Sequence, residues 1–136
     1  MSPGWCQSEY VNVLFVQYLL PFFVYTKEKT GGIFMRIITE IVTMKLAVDI
    51  TKDEFVSIVD GLEVDFHSKQ PGFIDSELIY DEQNDTWIMI QHWETAEQLK
   101  EASRKIFEDR AAKSFVKSLD PKNVKMTIAP QLGAWK

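Results

Sequence analysis

The stretch WIMIQHWET, Trp87 to Thr95, holds two of the chain's four tryptophans and one of its two histidines in nine residues. Its alternation puts Trp87, Met89, Gln91 and Trp93 on one side and Ile88, Ile90, His92 and Glu94 on the other, so it reads as a strand. Thr95 has the chemistry of a helix N-cap, with Gln98 at the capping-box position. The strand therefore runs directly into a helix whose buried stripe is Leu99, Ala102, Ser103, Ile106 and Phe107.

Working upstream from that strand, Gln83–Asp85 reads as a turn, and Phe73–Glu82 as the strand that completes a hairpin. Before it, Gln70, Pro71 and Gly72 stop a helix that Thr51 opens, with Glu54 in the capping-box position and Phe55, Ile58, Val59, Leu62 and Phe66 on one face. Arg36–Val48 reads as a long first strand. Ile38, Glu40, Val42, Met44 and Leu46 lie on one face, and Ile37, Thr39, Ile41, Thr43 and Lys45 on the other. Downstream, a break near Glu108–Arg110 leads to a short helix with Ala112, Phe115, Val116 and Leu119, ended by Asp120 and Pro121. Val124, Met126 and Ile128 then alternate in a fourth strand that Pro130 closes.

The resulting order, βαββαβ, is an α+β, ferredoxin-like pattern with a four-stranded antiparallel sheet. Helices cover one face of such a sheet and leave the other bare. The bare-face positions here are rich in apolar residues, which predicts coverage by a second copy, a homodimer packed sheet against sheet.

Composition narrows the function. The 136 residues suit one ordinary domain, and 46% apolar with 12% aromatic side chains is ample for a core. A net charge of −5 with scattered Lys and Arg argues against nucleic acid or an anionic membrane as partner. Cys6 is the single cysteine, so an internal disulfide and a cysteine zinc site are out of reach, and a reducing, cytoplasmic location is expected. The two histidines lack metal-ligand spacing, so chemistry without a metal or other cofactor is expected.

Tyr10–Tyr25 is the most hydrophobic run, with Lys27 and Lys29 after it rather than before it, unlike a secretory signal. Sixteen residues rise roughly 24 Å against a bilayer core of about 30 Å, and Asn12, Gln17 and Pro21 interrupt the run. Gly31 and Gly32 can be encoded by a purine-rich ribosome-binding sequence just ahead of Met35. The expectation is therefore a translation start at Met35, with residues 1–34 as an upstream extension or anchor and residues 35–136 as the folded domain.

For chemistry, His92 is the candidate general base, since an imidazole oriented by a carboxylate suits abstraction of a phenolic proton. Glu40, alone on an otherwise apolar strand face, is its candidate carboxylate partner. Trp93, with Trp87 and Gln91 on the same face, is a candidate aromatic wall for a planar ligand, and Tyr80 a candidate hydrogen-bond donor to it. His67 reads as a solvated helix-end residue and Lys125 as solvent-facing on an edge strand.

MRIITEIVTMKL, the QPGF turn, HWET running into a helix, RAAKSF and LDPKNVKM together resemble the antibiotic biosynthesis monooxygenase family over nearly all of residues 35–132. The resemblance implies a dimeric α/β barrel with a small cavity between sheet and helices. It also implies either quinone-forming oxygenation of polycyclic phenols without a conventional cofactor or haem degradation. The haem-degrading branch carries a tryptophan and a histidine on the helix after the third strand, and AEQLKEASRKIFEDRAAKSF has neither. The expected function is a cofactor-independent monooxygenase of an aromatic or phenolic small molecule. The competing expectation is a non-catalytic ligand-binding or structural homodimer.

Overall fold

The computed structural model describes residues 36–136. The apolar run Tyr10–Tyr25 and the expected start at Met35 lie outside the described residues. Within them the chain forms β1 (Ile38–Met44), α1 (Lys52–Asp65), β2 (Phe73–Asp81), β3 (Thr86–Trp93), α2 (Ala96–Lys105), α3 (Lys113–Ser118) and β4 (Lys125–Pro130), with short 3₁₀ turns between. The four strands make one antiparallel sheet in the order β2-β3-β1-β4, the ferredoxin-like α+β arrangement.

The helix starts follow local chemistry. Thr51 accepts from the Glu54 amide at 3.1 Å while Glu54 reaches back to the Thr51 amide, a complete capping box. Thr95 caps α2 from its side chain, but the reciprocal bond is replaced: the Thr95 hydroxyl donates to Gln98 Oε1 at 3.0 Å. Gly72 explains where Gln98 goes. Its φ is +85°, and a Cβ there would lie 2.0 Å from Gln98 Oε1, so only glycine lets the end of the α1–β2 loop pass under α2.

β1 is shorter than its sequence pattern. After Met44 the backbone leaves the sheet: Asp120 N–H donates to the Lys45 carbonyl and Ala47 N–H to that of Ser118, tying this segment to the end of α3 instead. Phe55, Val59, Leu62 and Phe66 from the first helix, Leu99, Ala102 and Ile106 from the second, and Phe115 and Val116 from the third all turn onto one face of the sheet. There they meet Ile38, Val42, Met44, Trp87, Met89 and Trp93. Phe55 sits at the centre of this layer, 4.7 Å from the Trp87 ring and 6.1 Å from that of Phe115. Full burial of a side chain of this size contributes about 2 kcal/mol. The opposite face carries Thr39, Ile41, Ile88, Ile90 and His92, and its rim residues Ile37 and Ile79 remain 40% and 44% exposed. No helix among the described residues is long and apolar enough to cross a membrane.

Candidate functional site

The strand register builds a polar row inside the core. Glu40 of β1 pairs with Gln91 of β3, and Gln91 pairs with Ser76 of β2, so three polar side chains lie side by side on the helix-covered face. Glu40 is 5% and Gln91 1% exposed, between apolar neighbours Ile38, Val42, Met89 and Trp93. A sheet face buried under helices ordinarily carries apolar side chains. Over this row α1 and the turn after it lay Glu63 and His67, four residues apart and on one helical face.

Glu63 is the hub. Its carboxylate takes hydrogen bonds from His67, from the Ser76 hydroxyl, and from Gln91 Nε2 at 2.9 Å. Gln91 Oε1 accepts in turn from the Trp93 indole N–H at 3.3 Å. The His67 tautomer follows from its neighbours. Both Glu63 Oε2 and Gln91 Nε2 face Nδ1, and a carboxylate can only accept, so Nδ1 carries the proton and donates it to Glu63. Gln91 is already engaged with the other carboxylate oxygen. Around the imidazole, Phe73 stacks at 5.9 Å and Phe66 and Trp93 present edges at 5.1 and 6.0 Å. The result is a carboxylate-oriented histidine in an aromatic enclosure.

The two carboxyls of the cluster are driven apart in acidity. For Glu63, burial would raise the pKa. The hydrogen bonds from His67, Ser76 and Gln91 outweigh it and hold the group below the ordinary carboxylate value. For Glu40 the balance is reversed. Burial pushes it up to about 8, and the negative charge of Glu63 adds to the rise. At neutral pH the cluster therefore holds an ionised carboxylate, an oriented imidazole and a protonated carboxylic acid. Two carboxyls with separated pKa values are a usual basis for assigning acid and base roles.

The structure separates the pair expected from the sequence. Glu40 aligns with Gln91 and His92 with Thr39, so Glu40 points into the core while His92 points to the open face. His92 instead finds Asp75 of β2, Nδ1 to Oδ1 at 2.6 Å, with Asp75 65% exposed. His67, expected in solvent, is buried and bonded to Glu63. Gln91 falls in the polar row, and Trp93 lies next to it on the same face, its indole bonded to Gln91. Trp87 and Tyr80 share its face but sit at the other end of the strands, where the Tyr80 ring lies tilted against Trp87 at 4.6 Å and its hydroxyl donates to Asp85 at 2.6 Å. Lys125 is exposed on β4, as its alternation implied.

Sequence reasoning missed Glu63, Ser76 and Phe73. The signal was present in part: Glu63 and His67 have i, i+4 spacing, and each inner strand carries one polar residue among the positions that alternate with its core aromatics and aliphatics. Among the described residues no group of three or more His, Cys, Asp or Glu side chains is placed to hold a metal ion.

A ferredoxin-like sheet with a hydrogen-bonded polar cluster enclosed between its first helix and its inner strands defines a small α+β protein. The family pattern of the antibiotic biosynthesis monooxygenases matches residues 38–117, and the chain belongs to that family. Among solved structures it is similar to a mutant of SnoaB, a cofactor-independent oxygenase from Streptomyces nogalater, at 14% identity and TM-score 0.59, covering 73% of this chain and 96% of that one. A conserved protein from Methanosarcina mazei shares 19% identity at TM-score 0.55, over 71% of this chain and 94% of that one. A Pseudomonas aeruginosa protein shares 16% identity at TM-score 0.53, over 72% and 96%. At these identities the likeness is one of fold. Among curated proteins none matches this chain.

Proposed function

We propose that this protein is a cofactor-independent oxygenase of a phenolic aromatic compound, with His67 as its base. The observation that carries the reading is the buried Glu63–His67 pair, oriented through Nδ1 and walled by Phe66, Phe73 and Trp93. The family supports the reaction class, and SnoaB supports its independence from a cofactor. Glu63 keeps 19% of its side chain exposed, so the pair is in contact with solvent through its carboxylate.

In the reaction Nε2 of His67 takes the phenolic proton, and Glu63 stabilises the imidazolium that results. The phenolate passes an electron to dioxygen, and recombination forms a C–O bond at the para carbon. The peroxide takes up one proton, the para C–H is lost as another, and the O–O bond breaks, leaving a carbonyl and water. The sum is one phenol and one dioxygen to one quinone and one water, with no external reductant.

The same reading includes a homodimer through the open sheet face, where Ile41, Ile88 and Ile90 lie between the half-exposed Ile37 and Ile79. A second site is favoured by one observation, the His92–Asp75 pair on that face. Oxygen uptake with a panel of hydroxylated naphthalenes and anthrones separates these readings. His67→Ala is expected to abolish uptake and His92→Ala to retain it. The opposite result moves the base to the open face. Tight binding of the phenols by wild type without uptake makes the protein a binding module.

A further inference from the structure

The mechanism above leaves one buried acid unused. Glu40 occupies the middle of β1 with Ile38 and Val42 on either side, Gln91 beside it on β3 and Ile128 on β4. An aliphatic side chain would pack there without the cost of burying a carboxyl. The titratable groups on the helix side are Glu63 of α1, whose negative charge acts on it, with His67 behind Glu63, and Gln91 lies between Glu40 and that pair. Glu40 thus stands at one end of the polar row and the Glu63–His67 base above the other.

We propose that Glu40 is the proton donor of this site, giving its carboxyl proton to the oxygen that leaves when the O–O bond breaks. This rests on the oxygenase reading. The departing hydroxide becomes water, and Glu40 is left as a carboxylate. His67 collects the para C–H proton, which returns to Glu40 before the next turnover. Only phenol and dioxygen are consumed. The division of labour fits the chemistry: a base that must be free to accept is held beside an ionised carboxylate, and an acid that must carry a proton at neutral pH is held where ionisation is unfavourable.

The test measures oxygen uptake against pH for wild type, Glu40→Gln, Glu40→Asp and His67→Ala with the same phenol panel. Glu40→Gln keeps the volume and a neutral hydrogen-bonding group but has no proton to give. It is expected to lower kcat about 100-fold with KM within about twofold. Wild-type activity is expected to fall above about pH 8, a limb absent from the residual activity of Glu40→Gln. Glu40→Asp, which keeps an acid on a shorter stem, is expected to recover part of kcat. If wild type turns over, His67→Ala does not, and Glu40→Gln matches wild type in kcat and pH profile, the role of Glu40 is overturned while the oxygenase reading stands. If wild type oxidises none of the phenols, both fall together.

Discussion

Glu40 and Glu63 sit within one cluster, yet their protonation should move stability in opposite directions. Glu40 has a folded pKa of about 8, above its ordinary value of 4.5. Its contribution is fully present below pH 4.5 and is lost as pH rises through about 8. That loss amounts to at most about 5 kcal/mol over the whole window. Glu63 is depressed, so its contribution is present above the ordinary carboxylate range and is lost on acidification. Urea unfolding at pH 5, 7 and 9 checks the first. Wild type should weaken across the series, and Glu40→Gln, which cannot ionise, should weaken much less and be the more stable protein at pH 9. Equal slopes for the two would place Glu40 in water. At the other end of the cluster, His67→Ala removes a donor to Glu63 together with the ring packed between Phe73 and Trp93. A loss of about 3 kcal/mol is expected, read as a lower urea midpoint.

At the scale of elements, what the chain spells out locally was legible and what depends on pairing was not. Both helix N-caps and the face of each strand could be read because their causes lie within a few residues, whereas the first helix stops at Asp65, ahead of the expected Gln70–Gly72, and a 3₁₀ turn over His67–Lys69 fills the gap. The partner of each strand residue is set by register, and register put Glu40 beside Gln91 rather than His92. Placing Trp87, Met89 and Trp93 on the same side as Ile38, Val42 and Met44 already puts Gln91 on the Glu40 side, since those are the faces that need burial. The partner of His92 was less accessible. A bulge between Phe73 and Asp75 shifts the β2 pairing by one residue and brings Asp75 opposite His92, while Ile74 is left 42% exposed. His67 was hidden differently, because helix-end position suggests solvent, whereas the chain here turns back under Trp93. Gly72 enables that turn, and its φ of +85° with the close approach of Gln98 makes Gly72→Ala costly from both strain and clash. A loss of about 2–3 kcal/mol is expected, measured as a fall in Tm, with α2 the element displaced.

For the whole molecule, the described chain has finished one face of its sheet and left the other open, and the two faces differ in kind. The covered face holds the polar row and every large aromatic of the strands, whereas the open face carries isoleucine and threonine across its inner strands, with the His92–Asp75 pair at one corner and Glu77, Asp81 and Lys125 on its edge strands. Ile41 and Ile90 are direct cross-strand partners at its centre, so they are the side chains a second copy would cover most completely. Each isoleucine so covered would contribute about 2 kcal/mol at most, and several together suffice for a lasting contact. Ile90→Asp places a charge at that centre without touching the helix-covered core. Light scattering after size exclusion should give wild type at twice the mass of one chain and the variant at the mass of one, with unchanged far-ultraviolet circular dichroism. If the variant stays at twice the mass, the copies meet elsewhere and the open face needs another explanation. Because the proposed base and acid both lie on the opposite side of the sheet, the dissociated variant should keep its oxygen uptake per chain. A loss of uptake on dissociation would mean that the second copy completes the site.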